Sequence, residues 1–437
     1  MNFILDFLKI LEVFLWSYLG FFLIIFAGLY LSIQSKFVQV FGLSKALKNF
    51  FCSFTPQKNQ GKRGVSPIEV FFASLGGCIG LGNIVSIAVA IQIGGPGALV
   101  WVWVAAFLGM ILKYAEVYLG LKFRVENTMG SYDGGPMFFL RYAFPKFPII
   151  ANVMAVLMCL YGTDIYLFGI IKESFVENFS FSPFLVIALL LILILLSVMG
   201  GVRRVGLINA WLIPIFIGFF LLMVIYILGV NYQKIPSIFL GIISSAFSGH
   251  AAMGGFVGSS IMLTISRGIS SACYSGDVGI GYASIIHAET RVQDKSNQAS
   301  LAIVGIFFDT IIVCTAVILL VLSTGVWLDP NLKGSLIVQT ALSQYFPYMN
   351  LFMSLFIFML GYSTIIAYMC AGIKSAQFLS PKRGKNIFLL FSSIAFVLFS
   401  FFDASIALSI MYTCGGLLML INIAGIMALR NYISFRF

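Results

Sequence analysis

The chain has 437 residues, of which 60% are hydrophobic and only 9% charged. A mean hydropathy of +1.04 excludes the soluble globular and disordered classes. The formal charge of +11 does not indicate nucleic acid, because Lys and Arg gather at the ends of apolar runs.

Seven cysteines sit singly in apolar segments without a C-x-x-C pair, and there are only two histidines, so neither a disulfide framework nor a structural zinc site is expected. The N-terminal "MNFILDFLKILE" carries Asp6, Lys9 and Glu12 but no basic n-region. No small-residue cleavage site follows it, so 13–32 reads as a retained span rather than a signal peptide. A basic amphipathic link runs to residue 65. Ten further runs are long enough, at roughly 20 residues each, to span a bilayer: 66–93, 97–121, 148–171, 182–199, 207–229, 237–265, 297–325, 350–373, 386–402 and 405–429. The predicted fold class is therefore an all-α polytopic membrane protein with 11 transmembrane helices. A β-barrel would instead show short alternating segments of about ten residues.

Placing the link 33–65 in the cytoplasm puts every Lys and Arg inside except Lys9, Lys172, Lys234 and Lys333. This asymmetry predicts an external N-terminus and an internal C-terminus. The predicted organisation is 1–65, an N-terminal helix and cytoplasmic linker; 66–236, a first five-helix repeat; and 237–437, a second repeat with a short cytoplasmic tail. The first and sixth of the last ten spans are rich in glycine, at Gly76–Gly82 and Gly249–Gly258. Interrupted helices at matching positions of two halves point to an inverted-repeat transporter. A break at mid-membrane survives only against protein or a polar cavity. Its freed amides suit a carboxylate, and its freed carbonyls suit an ammonium group or sodium. The alternative is a glycine packing face between helices.

Several polar residues call for their own reading. Asp309 lies within an apolar span, where a carboxylate is costly. It reads as a cation ligand, a proton carrier, or a packing group bonded to Thr310 or to a neighbouring helix. Asp164 is of the same kind, with coupling or substrate-amine binding as its candidate roles. Lys113 and Glu116 are three apart on one helical face, and a structural ion pair is expected. His250 sits in the second glycine-rich stretch and reads as a helix-end group or a titrating one. Trp101 and Trp103 read as interfacial anchors. His287-Ala288-Glu289 lacks a third partner for a metal.

The run "GLGNIVSIAVAIQIGGPGALVWVWVAAFLGMILKYAEVYLGLKFR" (80–124) closely resembles the alanine/glycine:cation symporter family, the sodium:alanine symporters. So do "GGPMFFL" (134–140), "GGFVGSSIM" (254–262), "GDVGIGYASIIHA" (276–288) and "GIFFDTIIVCT" (305–315), in family order. The resemblance implies a leucine-transporter-type 5+5 inverted repeat behind one extra N-terminal helix, in a bacterial or archaeal cytoplasmic membrane. It implies import of a small neutral amino acid, alanine or glycine, with sodium as coupling ion. No enzyme activity, organic cofactor, nucleic acid or obligatory protein partner is expected; the lipid bilayer is the surroundings. By position, it implies carbonyls of Gly76 and Ile79 at a sodium site. The Leu360 carbonyl and the hydroxyls of Ser363 and Thr364 in "LGYST" complete it. Cys78 and Asn83 would serve a second ion where one exists. Gly80, Leu81, Gly82, Gly254, Gly255 and Tyr362 would meet the substrate. This chain departs from the family at Leu81 (usually threonine) and Tyr362 (usually tryptophan). It also departs at Gly276-Asp277 (usually Asn-Glu), at His250 and Met253 (usually small), and at "GTDIYLFGII" (162–171), usually a polar Asn/Gln run. A proton-coupled transporter of the same fold is the alternative, with Asp309, Asp164 or His250 as carrier.

Overall fold

The computed structural model describes residues 2–55, 63–127, 130–248, 261–332 and 334–436. The chain enters through α1 (Asn2–Val13), a π-helical stretch Phe14–Gly20 and α2 (Phe21–Gln34). Short helices α3 (Val38–Phe41) and α4 (Leu43–Cys52) form the link. Then come α5 (Pro67–Cys78), a π-helical turn Gly82–Ser86, α6 (Ile87–Gly94) and α7 (Ala98–Lys122). A two-stranded ribbon, β1 (Val125–Glu126) and β2 (Tyr132–Asp133), leads into α8 (Pro136–Ala143). Helices α9 (Ile149–Gly162), α10 (Ile165–Phe179), α11 (Pro183–Val198) and α12 (Gly201–Val230) follow. Next are α13 (Ile235–Ser248), α14 (Ile261–Ser275) and α15 (Tyr282–Ala288). The chain ends with α16 (Lys295–Ile306), a π-helical stretch Phe307–Cys314, α17 (Thr315–Thr324), α18 (Gly334–Ser343), α19 (Met349–Leu379), α20 (Gly384–Phe399) and α21 (Ala404–Ala428).

Among the described residues, seven helices are long and apolar enough to cross a bilayer, or eight with the bent pair α5–α6 as one span. The shorter apolar helices α11 and α20 add to these, a count consistent with the expected 11. The most apolar long helix is the least buried: Gly201–Val230 has a mean hydropathy of 2.7 and is 28% buried, against 1.8 and 72% for Ala98–Lys122. In lipid the outward face needs apolar side chains, while central helices carry the polar groups. Accordingly α7 packs against α14, α15 and α16, and α19 against α5, α9 and α12.

The first break falls where the glycines predict it. Helix α5 ends at Cys78, Ile79 is extended (φ −81°, ψ 92°), and α6 departs at 44°. The expected second break at Gly249–Gly258, with His250, Met253, Gly254 and Gly255, lies outside the described residues. A further interruption is present at Gly276–Gly281, between α14 and α15. Asp277 (φ 50°), Gly279 (φ 74°) and Gly281 (φ 102°) adopt left-handed backbone there, which no α-helix can continue. The span predicted at 148–171 is also divided. Helix α9 stops at Gly162, Thr163 and Asp164 leave helical geometry (ψ 72° and 80°), and α10 continues to Phe179.

Candidate functional site

The breaks surround one cavity. Its walls are Gly77, Cys78, Gly80, Leu81, Gly82, Val85 and Ser86 from the first break, Asp164, Tyr166 and Leu167 from the divided span, Tyr274 and Ser275 from the end of α14, and Thr364 and Tyr368 from α19. About 40 Å³ is open to the centre of a water molecule. At ~10–15 Å³ per water on that measure, the space suits a solute of a few heavy atoms.

The predicted sodium ligands converge in part. Thr364 Oγ1 lies 2.9 Å from the Gly76 carbonyl and 3.0 Å from that of Leu360, and Ser363 Oγ donates to Leu360 at 2.8 Å. Two main-chain carbonyls and two hydroxyls thus meet where α5 crosses α19. Hard oxygen donors of this kind suit a hard cation. Ile79 is the extended residue just past α5, its N–H donating to the Leu75 carbonyl. Asn83 stands elsewhere and does not line the cavity. Its Oδ1 accepts from the Gly80 amide at 3.0 Å, and its Nδ2 donates to Asp309 at 2.5 Å. Asp309, fully buried, also accepts from Thr310 Oγ1 at 2.8 Å. This carboxylate therefore braces two π-helical turns, Gly82–Ser86 and Phe307–Cys314.

Of the expected substrate contacts, Gly80, Leu81 and Gly82 line the cavity and Tyr362 does not. The Tyr362 hydroxyl turns toward α11, 2.5 Å from Ser197 Oγ. Asp164 does line the cavity; its Oδ1 accepts from the Leu167 amide at 3.0 Å and caps α10.

The expected Lys113–Glu116 pair is not formed. Lys113 Nζ instead donates to the Gly276 carbonyl at 2.6 Å and to Cys78 Sγ at 2.7 Å, joining the two breaks. Glu116 accepts from the amides of Gly281 and Ser284, each at 3.2 Å, and from Asn422 at 3.0 Å. Burial favours these partners, because the broken main chain needs a donor and an acceptor that no helix supplies. Asp277 is held by the hydroxyls of Tyr161 (2.8 Å) and Tyr368 (2.7 Å). The indole N–H groups of Trp101 and Trp103 bond the Ala246 carbonyl and Thr315 Oγ1. His287 Nδ1 is paired with Gln298.

Tyr166, Tyr274, Ser275 and Tyr368 escaped the sequence reading as cavity residues. One signal was present: Tyr368 follows Thr364 by four positions and shares its helical face.

A profile of the "Sodium:alanine symporter family" matches residues 1–435. The chain belongs to this family. The sodium/alanine symporter AgcS of Methanococcus maripaludis is 29% identical, across 96% of this chain and 93% of that protein. An uncharacterized transporter of Haemophilus influenzae is 33% identical, across 77% of this chain and 74% of its own. The fold is similar to that of MhsT, solved in complex with L-phenylalanine (TM-score 0.58, 15% identity, 82% of this chain and 89% of that one). It is also similar to a Na+-coupled sialic acid symporter (TM-score 0.55, 10% identity, 86% and 80%). These likenesses establish the leucine-transporter-type fold. The family member is a polytopic membrane transporter and not an enzyme.

Proposed function

We propose that this symporter-family member imports a small neutral amino acid, alanine or glycine, together with sodium, by alternating access. The observation that carries the reading is one small cavity, walled by the broken main chain at Gly80–Gly82 and adjoining the oxygen cluster of Gly76, Leu360, Ser363 and Thr364. The first turn after Gly80 presents amides to a carboxylate, and the tyrosine rings limit the side chain. Sodium sits with the oxygen cluster and the solute beside it, so each favours the other's binding. The segments 66–236 and 237–437 act as the two halves of the inverted repeat, in a bacterial cytoplasmic membrane with the N-terminus outside. The similarity to AgcS supports alanine and sodium.

Proton coupling through Asp309 or Asp164 is the second reading, favoured by the complete burial of Asp309. Uptake in reconstituted vesicles, across a panel of small amino acids with sodium or proton gradients, decides. Alanine or glycine uptake that rises with the inward sodium gradient is expected. Uptake that ignores sodium and follows the proton gradient overturns the sodium reading.

A further inference from the structure

Among the described residues lining the cavity, Asp164 bears the only charged side chain. It is 4% exposed, and no described lysine or arginine forms an ion pair with it. A main-chain amide caps one of its oxygens. A buried carboxylate that lacks a counter-ion is expensive, and neutral hydroxyls and amides compensate only part of that cost. The other lining groups are hydroxyls, a thiol, apolar side chains and glycine main chain. The oxygen cluster around Thr364 is assembled without Asp164, from α5 and α19.

We propose that Asp164 anchors the ammonium group of the transported amino acid, and that the turn at Leu81–Gly82 takes its carboxylate. The inference rests on the transport reading above and deepens it. The site then selects compact solutes that carry a protonated amine and rejects hydroxy acids of the same shape. Asp164 also starts α10, which makes the carboxylate rigid.

Asp164→Asn separates charge from structure, because asparagine caps a helix as well as aspartate does. In reconstituted vesicles the KM for alanine is expected to rise about 10- to 100-fold, the loss of a charge-assisted bond. The sodium half-saturation at saturating alanine stays unchanged. An unchanged alanine KM overturns the proposal. So does a shift confined to sodium, which would make the carboxylate an ion ligand. The wild-type protein supplies a reading that needs no variant. L-lactate, with a hydroxyl in place of the ammonium, is expected to compete with alanine uptake at least ~100-fold more weakly than glycine. Competition any stronger than that overturns the proposal. Failure of the wild-type protein to take up any amino acid would overturn the transport reading itself.

Discussion

Lys113 offers the sharpest test of how the two breaks are held. Lys113 is 3% exposed, and its ammonium reaches both the Gly276 carbonyl and Cys78 Sγ. In Lys113→Met the chain length and most of the packing remain while the charge goes. Two terms then oppose each other. The bond from a charged donor to Gly276 contributes about 1.5–3 kcal/mol and is lost, leaving a buried carbonyl without its partner. The desolvation of the ammonium, several kcal/mol, is also removed. These offset, so the variant is expected to stay folded, with stability within about 2 kcal/mol of wild type. The joined arrangement of the breaks has no such compensation. At about 2 kcal/mol its population falls roughly 30-fold relative to separated breaks, and uptake falls with it. The assay pairs initial uptake rate in vesicles with thermal unfolding of the same preparation. Lys113→Arg is not expected to rescue, because a planar fork cannot sit between a carbonyl and a thiol at these distances. A folded Lys113→Met protein with wild-type rate and KM would refute the reasoning.

Two further substitutions probe the neighbouring contacts. Thr364→Val keeps the shape but removes the hydroxyl between the Gly76 and Leu360 carbonyls; the sodium half-saturation is expected to rise about tenfold, with Thr364→Ser restoring it, as read by sodium titration of uptake. Gly162→Ala places a methyl 2.9 Å from Gly372 Cα and from the Tyr368 carbonyl, main-chain atoms that cannot step aside; a loss of about 1–3 kcal/mol is expected, read as a lower melting temperature in detergent, and an unchanged one would show that α9 and α19 lie further apart.

Much of the fold was legible in the sequence because bilayer insertion is a local matter: each span needs its own run of apolar residues. The first break was equally local, since glycines at 76, 77, 80 and 82 within a few residues weaken helical geometry and let the chain leave it at Ile79. The convergence of Gly76 with Leu360, Ser363 and Thr364 followed from the family resemblance and not from periodicity. The partners of Asn83, the Gly80 amide on its oxygen and Asp309 on its nitrogen, did not follow from residue type, because Asp309 lies 226 positions away.

The amino-acid sequence by itself determined the membrane class, the apolar spans and the weak point at Gly76–Gly82. Only the tertiary structure decided the interruption at Gly276–Gly281 and the partners of Lys113 and Glu116. In "GDVGIG" the glycines permit left-handed backbone, but that conformation persists because its freed carbonyl and amides are met by two side chains of α7. Those side chains come from more than 160 positions earlier. No local window contains both the broken main chain and the charges that satisfy it.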